Sequence, residues 1–238
     1  MVKNLKSERD ITIIIPTLNE EDNIGLLLDK LTKLYKNVKI LVVDDGSKDN
    51  TRRIVREKMK GNRNIALLDR SILNKKKGLT YSILDGIEKT NTKYFVVMDA
   101  DFQHPPEVIK KFIALIKNYD LLVGNRKKIE DWSMIRLMIS RLSTMLVIFR
   151  LFIGNNPIPK DPLSGLFASR RDLFLRVYKK NKRKFIGEGY KVLFDFLKCI
   201  KKRDISIYNI DYTFHKRKYG ISKAKTSTMI DLIKSIIR

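Results

Sequence analysis

Residues 96–107 read VVMDADFQHPPE, an apolar run that ends in two carboxylates one residue apart, Asp99 and Asp101. Two hard oxygen ligands on one short turn suit Mg2+ or Mn2+. Gln103 adds a third oxygen within reach of the turn, and His104 is read as shaping the loop before Pro105. An ion held there could bridge the oxygens of a diphosphate and stabilise charge on a departing group. Many loops contain an isolated Asp-x-Asp by chance, so the weight lies in its position. A second pair, Asp44 and Asp45, ends a neighbouring apolar run, KILVVDD. No GxGxxG follows the first apolar run and no GxxxxGK[ST] occurs, which argues against a dinucleotide fingerprint and a P-loop.

Such carboxylates need rigid supports, and the first half of the chain supplies a regular series. Apolar runs at 11–16, 39–45, 65–69, 94–99 and 119–125 read as strands. Helical patterns fill 23–35, 50–60, 78–89 and 105–118, with Asp49 as a candidate N-cap and prolines opening the last. This β-α-β-α order predicts an α/β fold with a mostly parallel sheet and helices on both faces. Ligands then bind beyond the carboxyl ends of the strands. The polar residues fall there: Thr17, Asn19 and Glu20, then Asp44, Asp45 and Ser47, then Asp99 and Asp101, then Arg126.

The second half reads differently. It holds amphipathic helices, a Pro/Gly-rich loop at 154–165 (GNNPIPKDPLSG), and a basic strand-like segment at 205–218. We expect one domain over 1–238, with residues 1–130 as its nucleotide-binding half and 131–238 as an acceptor-side half. Arg136 and Ser140 are four residues apart and so share one helix face, where a guanidinium fork and a hydroxyl suit phosphate oxygens. The segment 137–153 is apolar on most faces but is interrupted by Arg141 and Arg150. It suits a membrane interface better than a bilayer centre.

Lys and Arg total 50 against 26 acids, a formal charge of +24. The excess implies anionic partners or a heavily solvated lysine surface. A nucleic-acid-binding protein would share that charge, but it leaves the acidic cluster unexplained and no binding motif is present. Hydrophobic residues make up 43%, enough for a core, which argues against disorder. A single cysteine, Cys199, excludes an internal disulfide and is read as core, and two histidines are too few for a histidine metal cluster. No apolar leader opens the chain, and no run of about 18 apolar residues spans a bilayer.

In order, PTLNEEDNI, VVDDGSKDNT, MDADFQHPPE, VGNR, WSMIRLMISR and KDPLSGLF closely resemble inverting glycosyltransferases of the GT-A (Rossmann-like) fold. Within them the sequence looks most like the dolichyl-phosphate mannose synthase group of family 2, over nearly the whole chain. The resemblance implies that Pro16, Leu18, Glu20, Val43 and Asp45 hold the nucleobase and ribose, with Leu18 standing where tyrosine is common. It implies that Asp99, Ala100, Asp101 and Gln103 form the metal and diphosphate segment, with Asp99, Asp101 and Gln103 as metal ligands. Arg126 falls near the donor phosphates, and Arg136 and Ser140 meet the acceptor phosphate. Lys191, in GEGYK, falls near a family lysine, while Arg217 and Lys223 match a basic segment that closes over the donor. Asp101, Arg126, Arg136 and Ser140 are the implied catalytic set. The implied partners are a sugar nucleotide, GDP-mannose first, a polyprenyl or dolichyl phosphate, and an anionic membrane surface at its cytoplasmic face, with no nucleic acid. UDP-glucose and UDP-N-acetylglucosamine are the alternative donors. A polysaccharide synthase of the same fold usually carries Gln-x-x-Arg-Trp, whereas the only tryptophan here, Trp132, lies in EDWSM.

Overall fold

A computed structural model describes residues 8–73, 76–185, 192–219 and 235–236. Seven strands form one sheet in the order β3-β2-β1-β4-β6-β5-β7. They are β1 (Ile11–Thr17), β2 (Lys39–Asp44), β3 (Ile65–Asp69), β4 (Tyr94–Val97), β5 (Leu121–Ile129), β6 (Phe167–Arg170) and β7 (Ile207–Phe214). β1, β2, β3 and β4 pair in parallel, as do β5 and β7. β1 is buried at all seven positions, as a strand covered on both faces must be.

Two apolar clusters fill the two faces of the sheet. One packs α1 (Glu21–Leu34), α2 (Thr51–Gly61) and α4 (Ile109–Leu115) against Ile13, Ile15, Val42 and Val96. The other packs α3 (Leu79–Lys89), α5 (Met134–Ile153), α6 (Arg171–Lys180) and α7 (Val192–Leu197) against Ile14, Val43, Phe95 and Val97. Alternate residues of β1 thus serve opposite cores, the period-2 rule of a strand. Gly86 lets α3 approach closely, since a Cβ there would lie 2.7 Å from Ile14 and 3.0 Å from Val43.

The structure corrects the sequence reading at several points. α2 starts at Thr51 with Asn50 in the N-cap position, while the Asp49 carboxylate accepts from the Thr51 N–H at 3.0 Å. The expected 105–118 helix is shorter: a 3-10 turn at Pro106–Val108 leads into α4. β5 runs on to Ile129 because β7 pairs along its length. β6 was not expected at all. It is four residues long and antiparallel to both neighbours, β4 and β5. So short a segment carries no readable period, and its conformation comes from a strand on either side. Running backwards, it brings the preceding loop to the edge where the parallel strands end.

The C-terminal stretch TSTMIDLIKSIIR (226–238), whose sequence reads as amphipathic, lies outside the described residues apart from Ser235 and Ile236. Ser235 is buried, donating to Asp195 at 2.6 Å and accepting from Lys198 at 2.9 Å. Cys199 is half-buried beyond α7, packed against the second cluster.

Candidate active site at the carboxyl ends of the strands

Strand β4 stops at Val97, and the chain turns through Asp99, Ala100 and Asp101. Phe102 takes φ 64°, a left-handed conformation that a bulky side chain adopts at a cost. That reversal lets Asp101 accept from the Gln103 N–H at 3.0 Å, while the His104 ring accepts from the Asp99 N–H at 3.1 Å through Nδ1. The ring proton therefore sits on Nε2, which lies 3.8 Å from the Asp99 carboxylate. Burial pushes the His104 pKa down to about 4, so the ring is neutral and shapes the turn as the sequence suggested.

The carboxylates are crowded. Burial pushes Asp99 up to about 6 against the opposing pull of Arg217, and the Glu20 charge raises it further. Asp101 is raised too, by burial and then by the charge of Asp99. Arg217 answers this crowding, reaching Asp101 at 2.8 Å and Glu20 at 3.3 Å. Its segment is strapped across the turn by the His215 N–H to the Gln103 carbonyl at 3.1 Å and the Lys218 N–H to the Asp101 carbonyl at 3.2 Å. The Gln103 side-chain amide donates back to the His215 carbonyl at 3.3 Å.

On the other side of the turn, Arg126 of β5 makes a two-pronged pair with Asp161 at 2.6 and 3.0 Å. Burial works against its charge, but Asp161 outweighs it and holds its pKa above the ordinary range. Asp161 comes from the Pro/Gly-rich loop that leads into β6. Gly165 in the same loop lies against the acidic turn, where a Cβ would come within 3.2 Å of both Asp99 and His104. Asp161 belongs to this site although sequence reasoning assigned it no role. Its signal was the acid in KDPLSG, readable only once β6 is known to run antiparallel.

The two aspartates that end β2 have separate tasks. Asp44 is fully buried and accepts from the Gly46 and Ser47 N–H groups at 3.1 and 2.9 Å, which closes its own turn. Asp45 turns the other way, bonded to Arg70 and accepting from the Gly78 N–H at 2.7 Å. Burial raises its pKa, with Gly78 and Arg70 opposing. Arg70, itself buried, also grips Asp85 at 2.8 Å. It is a second residue that sequence reasoning passed over, and its position directly after β3 was the available clue.

Among the other expected site residues, Glu20 joins the acidic centre through Arg217. Leu18 is exposed at the edge, whereas Pro16, Val43 and Ala100 are buried. Val43 lies wholly within the second core, so its side chain cannot meet a ligand directly. Arg136 and Ser140 sit on the N-terminal turns of α5, which Ser133 caps with its hydroxyl accepting from the Arg136 N–H at 3.3 Å. Ser143, Val147 and Leu151 form the buried stripe of α5, and its line continues through Ser140 and Arg136. Trp132 joins Arg136 to the rest: its ring lies 4.2 Å from the Arg136 guanidinium carbon and 5.7 Å from that of Arg126. Lys191 and Lys223 lie outside the described residues.

The opposite face of α5 is bare. Ten apolar side chains from Met134 to Ile153 are 45–74% exposed. No described helix is long and apolar enough to cross a membrane.

A parallel sheet interrupted by one reversed strand, acidic where its other strands end, is a GT-A-like fold. A solved structure of glucosyl-3-phosphoglycerate synthase from Mycobacterium tuberculosis, in complex with Mn2+, UDP and glucosyl-3-phosphoglycerate, shares this fold. It matches with a TM-score of 0.68 and 18% identity, covering 98% of this chain and 79% of that one. Within the fold, the chain belongs to glycosyl transferase family 2, whose pattern matches residues 12–176. It is 34% identical over 235 residues to a dolichol-phosphate mannosyltransferase of Pyrococcus furiosus, covering 96% of this chain and 63% of that protein's length. It is also 28% identical over 230 residues to the polyprenol monophosphomannose synthase of Mycolicibacterium smegmatis, covering 91% of this chain and 82% of that protein.

Proposed function

We propose that this protein transfers mannose, with inversion, from GDP-mannose to a polyprenyl phosphate such as dolichyl phosphate at the cytoplasmic face of a membrane. The observation that carries the reading is one juxtaposition. The Asp99–Asp101 turn, gripped by Arg217, adjoins Arg126, and through Trp132 it adjoins Arg136 at the head of a helix whose outer face is apolar. The names of the two relatives supply the substrate class.

The donor set fits a hard divalent ion, Mg2+ or Mn2+. Asp99 and Asp101 offer two carboxylates; burial first and the Glu20 charge second raise the pKa of Asp99, and a bound cation would favour its ionised form. No group of three or more His, Cys, Asp or Glu among the described residues could hold a metal alone. The remaining positions would fall to diphosphate oxygens, water and the Gln103 side-chain oxygen, as Mg2+ prefers. When bound, such an ion neutralises the diphosphate and stabilises charge on the departing nucleotide.

The chain's own residues perform the rest. Asp45, clamped by Arg70 and the Gly78 N–H, presents an acceptor beside the nucleotide end of the site. Arg217, closed over the turn, turns its fork to the donor phosphates, and Arg126 adds charge on the far side. Arg136 and Ser140 receive the acceptor phosphate. A phosphate monoester with a second pKa of about 6 is already an anion near neutral pH, so attack on the anomeric carbon needs no general base. The obstacle is repulsion between two anions, and preorganised cations address it. The exposed face of α5 lies in the lipid interface, and the basic clusters at 179–184 and 201–203 meet anionic headgroups.

A donor screen tests the reading. GDP-mannose, UDP-glucose and UDP-N-acetylglucosamine are each offered with a short polyprenyl phosphate and Mn2+. Mannolipid from GDP-mannose alone is the expected product. Product from a UDP sugar instead replaces the donor assignment, and no lipid product from any of the three sinks the proposal.

A further inference from the structure

We infer that Trp132 is a positioning residue: its ring fixes Arg136 against the donor side of the site and so sets where an anionic acceptor is received. The inference rests on the reading above that Arg136 meets a phosphate monoester.

Trp132 is the single tryptophan of the chain. Two guanidinium groups approach its ring, Arg136 at 4.2 Å and Arg126 at 5.7 Å from the centroid. Both distances lie within the range of a cation–π contact. The ring is wedged against Phe214 of β7, with centroids 5.7 Å apart and planes at 80°. It is therefore anchored to the sheet, while Arg136 belongs to a helix whose outer face is exposed.

The two arginines are held unequally. Arg126 has the two-pronged Asp161 pair and lies 5.7 Å from the Phe214 ring as well. Arg136 is exposed and has no carboxylate partner among the described residues, so the indole is the contact that limits its rotamers. A long, solvated arginine otherwise samples many conformations, and ordering it is entropically costly. Ser133 starts the helix between the ring and Arg136, so both lie within one capped turn.

The identity of the ring also needs a reason. The indole Nε1 is buried and has no hydrogen-bond partner among the described residues, which is unfavourable. A phenyl ring would fill much of the same space without stranding that N–H. What indole adds is the strongest cation–π face among the aromatic side chains. The ring lies near both a donor-side and an acceptor-side arginine, where that property has a use.

The test compares wild type with Trp132→Leu and Trp132→Phe, measuring KM separately for the accepted sugar nucleotide and for farnesyl phosphate. Trp132→Leu should raise the farnesyl phosphate KM about tenfold and leave the donor KM within about twofold, because Arg126 keeps Asp161. Trp132→Phe, which retains ring packing, should raise the acceptor KM about threefold. Fluorescence of the lone tryptophan in wild type should change saturably with farnesyl phosphate and not with farnesol, and Arg136→Met should abolish the change. An unchanged acceptor KM in both variants, or equal rises in both KM values in Trp132→Phe, overturns the assignment. A wild-type protein that binds sugar nucleotide but neither binds nor uses farnesyl phosphate overturns the acceptor reading itself, and this assignment with it.

Discussion

Asp101 accepts from Gln103, pairs with Arg217 and lends its carbonyl to Lys218, whereas Phe149 on the outer face of α5 is 62% exposed. The first region is polar and tied down at almost every group named. The second is apolar and uncommitted over ten side chains. Buried charges are tolerable only when paired and hydrogen-bonded, so the acidic turn had to acquire Arg217, His104 and the strap. The outer face of α5 contributes nothing comparable to the fold. Its inner stripe of Ser143, Val147 and Leu151 already docks the helix. It is this contiguous apolar surface that the proposed function places at a lipid interface.

The contrast breaks most sharply at Asp101. Asp101→Ala should lower transfer on the order of a thousandfold, because removal of preorganised charge at the reacting diphosphate is felt in the transition state. Turnover assays with the accepted donor measure it, and near-normal metal-dependent turnover would remove this turn from the site. Asp161→Ala comes next. It leaves the Arg126 guanidinium buried without its pair, and loss of one partner of a buried pair costs about 3–5 kcal/mol. Urea unfolding should show that loss alongside weakened turnover.

On the apolar side, Met145→Ser together with Phe149→Ser should weaken binding to anionic vesicles about tenfold or more. The same pair should change unfolding free energy by no more than about 0.5 kcal/mol per site, as solvent-facing substitutions do. A large loss of stability would mean that this face packs against the chain after all. The smallest effect sharpens the inner side of the same layer. Burial pushes the Cys199 thiol up to about 11, and its Sγ donates to the Asp195 carbonyl at 3.1 Å. A raised thiol pKa keeps the reactive thiolate scarce below it, roughly one part in a thousand at pH 8. Iodoacetamide should label native Cys199 far more slowly than the unfolded chain, with the rate rising about tenfold per pH unit toward pH 11.

Much of this was legible beforehand because the relevant signals are local. Buried parallel strands read as continuous apolar runs, and β1, β2 and β4 were found within one or two residues of their ends. The polar residues that terminate them fell at one edge for the same topological reason, so Glu20, Asp45, Asp99, Asp101 and Arg126 were expected at one edge. The residues that sequence reasoning passed over act through space. Asp161 matters because β6 runs backwards, Arg70 because β3 places it beneath Asp45, and Trp132 because β7 offers Phe214 as a wedge. The Asp44–Asp45 pair looked like one feature in the sequence and proved to be two, one closing a turn and one facing Arg70.

What the sequence determined by itself was the set of strands, their buried character and the acids at their ends, since periodicity and strand termination are properties of neighbours along the chain. Tertiary structure alone decided which cation answers which acid. Arg217 is 116 residues from Asp101 in the chain yet 2.8 Å away in space. No local pattern selects that arginine from a run such as HKRK. The pairing exists because β7 lies beside β5 and delivers its end over the acidic turn.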